Sequence, residues 1–274
     1  MQRVREAFRR AGVTEPDIRI IEGPSVQSAA SEALARGSSI VVAGGGDGTV
    51  SSVASAIVER DAELGILPLG TLNHFAKDAG VPLDLDDATR TIANGRTVRV
   101  DTADVNGRLF INNASVGMYA SLTAERLAMQ RLGRGRWVAH ALAAARVWRR
   151  YRRVHVLLGA DGRERTVATP FVFVGNNEYQ LSGLELGGRK KLDLGRLHVC
   201  MAPGMPRRRV ARMIMVAIFG DLRRLEGFES FTASEVTLDG GPMRLRVSLD
   251  GEVVTLDSPL QFRIRSRALR VIVP

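Results

Sequence analysis

The sequence contains 274 residues, 45% of them hydrophobic and 25% charged, a composition that is ordinary for a globular protein and excludes wholesale disorder. Its longest uninterrupted apolar run, residues 213–219, is far shorter than the roughly 18 to 20 residues that a membrane-spanning helix needs. Residues 1–10 lack the apolar core of a signal peptide, and the single cysteine, Cys200, excludes an intrachain disulfide. We therefore expect a cytoplasmic protein of two domains.

Arginine dominates the positive charge of the chain. There are 39 Lys and Arg residues against 29 Asp and Glu residues, which gives a net charge of +10. Such a surface attracts phosphate groups, and nucleic acid and anionic lipid are both candidates. The alternative explanation is a GC-rich genome, which favours arginine codons. The arginines concentrate in residues 126–153 and 206–220, two segments without an acidic residue.

The N-terminal third alternates between helix and strand patterns. Apolar periodicity predicts helices over residues 1–11, 25–36, 49–60, 71–79 and 86–93. Short apolar runs predict strands over residues 17–21, 39–43 and 64–67. This alternation favours a parallel α/β sheet.

The pattern changes after Gly95. Residues 97–105 and 108–114 read as strands on either side of Asn106-Gly107, which is the strongest short hairpin signal. Further hairpin signals lie at Asp161-Gly162 and Asp250-Gly251. Apart from the basic segments, the rest of the chain is therefore predicted to be mainly antiparallel β, with a domain boundary near residue 96.

Residues 40–50, IVVAGGGDGTV, have the pattern of a phosphate-binding loop. A buried strand leads into four glycines, whose backbone can adopt conformations closed to other residues, and then into a helix N-terminus that attracts anions. The Asp47 carboxylate cannot bind phosphate, so we expect it to orient the loop, contact a ribose or help to hold a metal ion. The alternative is a glycine-rich turn without a ligand. The candidate nucleotide-binding residues are Gly44, Gly45, Gly46, Asp47, Gly48 and Thr49.

A second loop, PLGTLNHFAKD at residues 68–78, follows the next strand. Gly70 shapes the turn, and Thr71 and Asn73 offer short polar side chains at the start of a helix. Loops at the carboxyl ends of strands in an open α/β sheet line one crevice, so we expect a nucleotide there. Neither loop matches GxxxxGK[ST] or GxGxxG, so neither a P-loop ATPase nor a dinucleotide-binding domain is indicated.

The combination of GGGDGTV with PLGTLNHFAKD resembles the diacylglycerol kinase catalytic domain, whose family includes sphingosine and ceramide kinases and YegS-type bacterial lipid kinases. Residues 100–120, 174–180 and 248–254 also resemble segments of this family. The resemblance implies an α/β nucleotide-binding domain over residues 1–95 and a mainly antiparallel β-sandwich lipid-substrate domain over residues 96–259. It also implies an active site in the interdomain cleft, where ATP, Mg²⁺ and a lipid hydroxyl meet. The C-terminal segment, about residues 260–274, is expected to return to the first domain.

The resemblance also implies roles for particular residues. The glycine loop would cradle the ATP phosphates, and Gly70, Thr71 and Asn73 would complete the nucleotide pocket. Glu252 would be the general base that accepts the proton of the lipid hydroxyl, with Asp250 as its neighbouring carboxylate. The alternative is that Asp250-Gly251 is only a hairpin turn followed by an exposed glutamate.

The implied metal-binding residues are Asp101 and Asp193. A lone aspartate on a strand, such as Asp101, is equally typical of a solvated residue. Asp193 is a weak substitute, because Leu194 stands where the family's Asp-Asp-Gly segment has an aspartate. His74 likewise stands where the family usually has an aspartate, and surface or core placement is the alternative to a contact with phosphate.

The family's first strand and its Asn-Pro-x-Ser-Gly loop do not precede the first helix. This departure predicts either an N-terminally truncated sequence or an incomplete ATP site. A sheet that lacks its first strand has an unpaired ladder, which invites pairing with another chain. We therefore expect lower stability or a homodimer.

A lipid kinase must dock on a bilayer, and residues 137–151 and 206–224 combine arginines with apolar side chains. They predict peripheral association with the anionic inner face of the membrane, although an ordinary buried helix is the alternative. With 5% aromatic residues, nucleic-acid binding is not indicated.

The predicted function is ATP-dependent phosphorylation of a membrane lipid, diacylglycerol or a related lipid. The alternatives are a pseudokinase or lipid-binding regulator and an NAD kinase, which shares the GGDGT loop.

Overall fold

The computed structural model describes residues 1–117, 153–180, 187–206, 208–209, 229–242 and 244–274. The chain divides into two compact units. Unit 1 comprises Met1–Thr102, Gly188–Gly195 and Arg265–Pro274, and unit 2 comprises Ala103–Gly187 and Arg196–Ile264. The division after Thr102 falls within a strand, whereas the change of sequence pattern lies near residue 96. Within the described ranges, no helix is both long and apolar enough to cross a membrane.

Unit 1 is an α/β structure. In chain order its elements are α1 (Gln2–Arg10), a 3₁₀ turn (Gly23–Ser25), α2 (Val26–Ala35), β1 (Ile40–Gly45), α3 (Asp47–Ile57), β2 (Glu63–Pro68), α4 (His74–Asp78), α5 (Leu85–Asn94) and the start of β3 (Arg96–Val105). β1 pairs with β2 in parallel, with Val41 opposite Leu64. The alternation of helices and parallel strands agrees with the sequence prediction.

The predicted strand over residues 17–21 is wrong, because residues 13–22 form no helix or strand. Ile20 is 80% exposed. A strand is stable only when a neighbour shares its backbone hydrogen bonds. Among the described residues, β1 pairs with β2 alone, and residues 17–21 belong to no ladder. Strand-forming side chains are therefore present without the partner that would make them a strand.

Unit 2 consists of antiparallel strands. After the end of β3 they are β4 (Arg108–Phe110), β5 (Asn113–Gly117), β6 (Val154–Ala160), β7 (Arg163–Thr169), β8 (Phe171–Asn176), β9 (Leu197–Met201), β10 (Glu229–Ala233), β11 (Glu235–Asp239), β12 (Arg244–Leu249), β13 (Glu252–Asp257) and the start of β14 (Leu260–Val273). One sheet has the order β10-β9-β8-β5-β12-β13, and a second run has the order β14-β11-β6-β7. Inward-facing side chains of both, including Val174, Val247 and Leu238, form one core.

The three predicted hairpins are confirmed. β3 pairs with β4, β6 with β7, and β12 with β13. The turn residues Asn106, Asp161 and Asp250 have φ values of +49°, +43° and +46°, and a glycine with positive φ follows each. Positive φ at both central positions is the geometry that Asn-Gly and Asp-Gly turns favour.

The last strand belongs to both units. Leu260 and Phe262 of β14 pair with β11 in unit 2. Further along the same strand, Arg270 and Val271 pair in parallel with β2 in unit 1. β2 is thereby a central strand of unit 1, and its residues Leu64, Ile66 and Leu67 are buried.

Candidate functional site

The glycine-rich loop joins β1 directly to α3. β1 ends at Gly45, Gly46 is the N-cap, and Asp47 is the first residue of α3. The N–H groups of the first helical turn have no partner within the helix, and together with the helix dipole they attract anions. Gly44 is exposed, and Thr49 in the first turn is half-buried. This geometry suits a phosphate group at the N-terminus of α3.

The reason for the glycines differs from the sequence prediction. None of Gly44, Gly45, Gly46 and Gly48 has a positive φ, and Gly46 is extended at φ −90° and ψ −174°. Space is the constraint instead, because a Cβ atom on Gly45 would lie 2.4 Å from Thr49 Oγ1. The loop therefore requires small residues in order to fit against α3.

Asn73 shapes the second loop from within. Its Nδ2 donates to the carbonyl oxygens of Pro68 and Gly70 at 3.1 and 2.8 Å, and its Oδ1 accepts the N–H of Gly70 at 3.0 Å. The residue is 8% exposed and has φ +51°, which ends the loop and delays α4 to His74. The Asn73 amide thus closes its own loop, while Thr71 is exposed.

Asp47 connects the two loops. Its Oδ2 accepts the backbone N–H of His74 at 3.1 Å, and its Oδ1 accepts that of Phe75 at 3.0 Å. The carboxylate therefore caps the N-terminus of α4, where a negative charge is also favoured by the helix dipole. Of the three roles considered from the sequence, orientation of the loop is the one that these contacts support. His74 takes part through its backbone, and its side chain is exposed.

The two aspartates expected to bind a metal have different environments. Asp101 is fully buried, and its two carboxylate oxygens accept the N–H groups of Gly195 and Arg267 at 2.6 and 2.7 Å. Asp193 is exposed. Within the ranges that the structure describes, no three His, Cys, Asp or Glu side chains are grouped so that they could hold a metal ion. Asp101 therefore joins β3 to two segments that are distant in sequence.

Asp250 also binds backbone N–H groups. Its Oδ2 accepts the N–H of Ile111 at 2.8 Å, and its Oδ1 accepts those of Asn112 and Asn113 at 2.8 and 3.0 Å. The β12–β13 turn is thereby fastened to the start of β5. Glu252, two residues further along, is exposed at the beginning of β13. Of the two predicted catalytic carboxylates, Asp250 holds the turn and Glu252 faces solvent.

Sequence reasoning missed a buried cluster of amide side chains beside this turn. Asn112 is 4% exposed, and Asn176 and Asn177 are fully buried. Asn176 Nδ2 donates to the carbonyl oxygen of Ile111 at 2.9 Å, and Asn177 Nδ2 lies 3.3 Å from Asn176 Oδ1. Buried amides need such partners. The signal was present as two Asn-Asn pairs, at 112–113 and 176–177.

His198, Cys200 and Ser230 lie on β9 and β10 in unit 2. His198 Nδ1 accepts the N–H of Tyr179 at 3.0 Å, so the neutral ring carries its proton on Nε2, which lies 2.6 Å from Ser230 Oγ. Burial lowers the pKa of His198 and raises the pKa of the Cys200 thiol to about 12. A thiol with this pKa stays protonated at neutral pH, and His198 donates to Ser230 instead of activating it. Cys200 is therefore a buried strand residue.

The membrane-binding predictions lie outside the described residues. Residues 137–151 are not described, and within 206–224 only Pro206, Arg208 and Arg209 are. The apolar run 213–219 also lies outside the described part of the chain. These segments remain sequence predictions.

Comparison with known proteins connects both units to one family. Residues 1–105 match the diacylglycerol kinase catalytic domain, and residues 113–273 match the YegS C-terminal NAD kinase beta sandwich-like domain. Curated relatives named "Probable lipid kinase YegS-like" include one from Enterobacter sp. (strain 638), 46% identical over 99 residues, and one from Klebsiella pneumoniae (strain 342), 48% identical over 97 residues. Each alignment covers 34% of this chain and 33% of the relative, so the matched region is about one third of each protein.

Solved structures share the fold over nearly the whole chain. A crystal structure of a diacylglycerol kinase from Bacillus anthracis str. Sterne gives a TM-score of 0.67 at 19% identity, over 94% of this chain and 84% of that one. A second structure from the same organism, described as a candidate diacylglycerol kinase, gives a TM-score of 0.71 at 23% identity, over 93% of this chain and 84% of that one. At these identities the likeness establishes the two-domain fold.

Proposed function

This chain belongs to the diacylglycerol kinase family of YegS-type lipid kinases, and we propose that it transfers the γ-phosphoryl group of ATP to a hydroxyl group of a membrane lipid, diacylglycerol or a related lipid. The observation that carries the proposal is the pair of hydrogen bonds between Asp47 and the N-terminus of α4. These bonds join the glycine-rich loop after β1 to the loop after β2.

The nucleotide site in this proposal is built mainly from backbone. The phosphates of ATP would bind at the N-terminus of α3, close to Gly44, Gly45 and Gly46, where the absence of side chains lets phosphate oxygens approach the N–H groups. Phosphoryl transfer requires positioning and charge neutralisation more than covalent chemistry. Mg²⁺ is proposed to arrive with ATP as part of the substrate.

Glu252 is the proposed general base. It is an exposed carboxylate at the start of β13, and the turn before it is held by the three hydrogen bonds of Asp250. A positioned carboxylate can accept the proton that the lipid hydroxyl loses as its oxygen attacks phosphorus. In this assignment Asp250 is a positioning residue, which sets the direction of Glu252 through the turn.

A kinase whose acceptor is a membrane lipid must act at the membrane surface. A net charge of +10 favours contact with anionic lipid, because basic residues are attracted electrostatically to such a surface. This attraction adds to the free energy gained when apolar side chains insert into the membrane surface. We propose peripheral association with the inner face of the cytoplasmic membrane, at the basic segments 137–151 and 206–224.

The test is phosphoryl transfer from γ-labelled ATP to lipid in mixed micelles. Diacylglycerol, phosphatidylglycerol and a sphingoid base are offered separately, NAD⁺ is offered as a soluble acceptor, and labelled products are separated by extraction. The proposal expects label in a lipid product, with Glu252→Gln as the inactive control. Labelled NADP⁺ would identify an NAD kinase instead. Lipid binding to vesicles without any transfer would identify a lipid-binding regulator.

A further inference from the structure

Segment Gly188–Gly195 comes late in the sequence but packs within unit 1. At its C-terminal end it is held by Asp101, whose Oδ2 accepts the N–H of Gly195 and whose own N–H donates to the carbonyl oxygen of Leu192 at 2.7 Å. Near its N-terminal end it is held by Arg189. The segment therefore has two attachment points, and they connect it to different parts of unit 1.

Arg189 forms a buried ion pair with Asp78. Its Nε lies 2.7 Å from Asp78 Oδ2, and its backbone N–H donates to Asp78 Oδ1 at 3.2 Å. The Arg189 side chain has no exposed surface, and that of Asp78 is 8% exposed. The guanidinium carbon also lies 5.8 Å from the centre of the Phe75 ring. Arg189 therefore contacts two residues of α4, Asp78 through the ion pair and hydrogen bonds and Phe75 through the face of its ring.

α4 depends on contacts of this kind. It contains five residues, which is too short for a helix to be stable by itself. Asp47 holds its first two N–H groups, and Arg189 holds Asp78, its last residue. The N-terminus of α4 is the point at which the second glycine loop meets the first. A displacement at Asp78 should therefore pass along one helical turn to Asp47.

We propose that Arg189 is a positioning residue for the nucleotide-binding loops, which it aligns through Asp78 and α4. The inference rests on the proposed function, because it assumes that these loops hold ATP. Arg189 touches no reacting atom in this assignment, and its effect is exerted on ATP affinity through the position of α4.

Three variants test the proposal. Arg189→Met removes the guanidinium, and Arg189→Lys keeps the charge but loses the planar pair of donors. Lys190→Met is the matched control, because it removes a neighbouring cation that is exposed on the same segment. For each we would measure the melting temperature, the ATP Kd by calorimetry, KM and kcat separately, and hydrogen exchange in peptides that cover residues 68–80.

We expect Arg189→Met to weaken ATP binding by about ten-fold to 10²-fold, which corresponds to about 1.4–2.8 kcal/mol of binding free energy. KM should rise more than kcat falls, and exchange across residues 68–80 should become faster. Arg189→Lys should lie between this variant and the unaltered chain, and Lys190→Met should match the unaltered chain. If Arg189→Met does not fold, Arg189→Lys carries the test by itself.

The result that overturns the proposal is a folded Arg189 variant with a lower melting temperature but unchanged ATP Kd and unchanged exchange over residues 68–80. That outcome would mean a purely structural ion pair. Failure of the proposed function is distinguishable, because it is seen in the unaltered chain as absence of ATP binding. In that case, hydrogen exchange over residues 68–80 still decides whether Arg189 aligns α4.

Discussion

Gly46 and Gly70 approach each other backbone to backbone. A Cβ atom on Gly70 would lie 2.3 Å from Gly46 Cα and 2.9 Å from Gly46 N, while the Gly70 N–H donates to the carbonyl oxygen of Gly45 at 3.2 Å. Backbone atoms at this distance cannot move aside as a flexible side chain can. The two loops therefore form a single surface, and its shape depends on the absence of one methyl group.

Gly70→Ala should separate the two loops. The added methyl would overlap the backbone of Gly46, so we expect the ATP Kd to rise by about ten-fold or more and the protein to lose about 1–3 kcal/mol of stability, as overpacking does. Calorimetry and thermal unfolding measure the two effects. Gly23→Ala is the matched control, because a Cβ atom there meets nothing within 4 Å and its φ is not positive. Unchanged ATP affinity in Gly70→Ala would contradict the placement of the phosphates at the N-terminus of α3, beside Gly46.

Asp47→Ala should abolish kinase activity while the chain stays folded. It removes both hydrogen bonds that cap α4, and loss of an N-cap costs about 1 kcal/mol of stability. Asp47→Asn keeps an acceptor oxygen but loses the negative charge, so it should be intermediate. Asp17→Ala is the control, since Asp17 is an exposed acid that pairs with the surface residues Arg19 and Arg36. Lipid phosphorylation and circular dichroism are the measurements, and near-normal activity in Asp47→Ala would refute the role of the cap.

Glu252→Gln should reduce turnover by roughly 10² to 10⁴, the usual contribution of a positioned general base. ATP affinity should stay within a few fold and the melting temperature should not change, because the side chain is exposed. Asp257→Asn provides the control, an exposed acid at the other end of β13. A loss confined to ATP affinity would show that Glu252 is not the base.

Asp250→Ala should act first on stability. The change leaves the N–H groups of Ile111, Asn112 and Asn113 without their acceptor, which costs on the order of 1–3 kcal/mol for a fully buried group and less at part-buried bonds such as these, where water can replace the acceptor. We expect a loss of about 2–4 kcal/mol by urea unfolding, together with reduced turnover because Glu252 is no longer held in direction. Asp250→Asn should recover part of the stability, since its one carbonyl oxygen can still accept. A fully stable but inactive Asp250→Ala would instead make Asp250 a direct participant in the chemistry.

His198 should make stability depend on pH below neutrality. Burial lowers its pKa below the ordinary value of 6.5, so the unfolded chain takes up a proton at a higher pH than the folded chain does. The free energy of unfolding should therefore decrease as the pH falls below 6.5, and the decrease should level off below the pKa of the folded state. His198→Gln should flatten this dependence when unfolding is measured between about pH 5 and pH 7. His155→Gln, at an exposed histidine, is the control, and an unchanged profile in His198→Gln would contradict the assignment.

The strand–loop–helix pattern around the loops at residues 44–49 and 68–73 and the three hairpins could be predicted from the sequence, because these features depend on residues adjacent in the chain. Positive φ at Asn106, Asp161 and Asp250 is a local preference, and it needs no distant partner.

The roles of the buried and half-buried carboxylates could not be predicted from the sequence, because they depend on contacts that form when the chain folds. Asp47 accepts N–H groups 27 and 28 residues away, Asp101 accepts groups 94 and 166 residues away, and Asp250 accepts groups 137 to 139 residues away. All of these donors are backbone N–H groups, which nearly every residue possesses, so no residue type at the partner position marks the contact in the sequence. The predicted strand over residues 17–21 failed for the same reason. A strand and a buried carboxylate both require a partner that the fold alone brings within hydrogen-bonding distance.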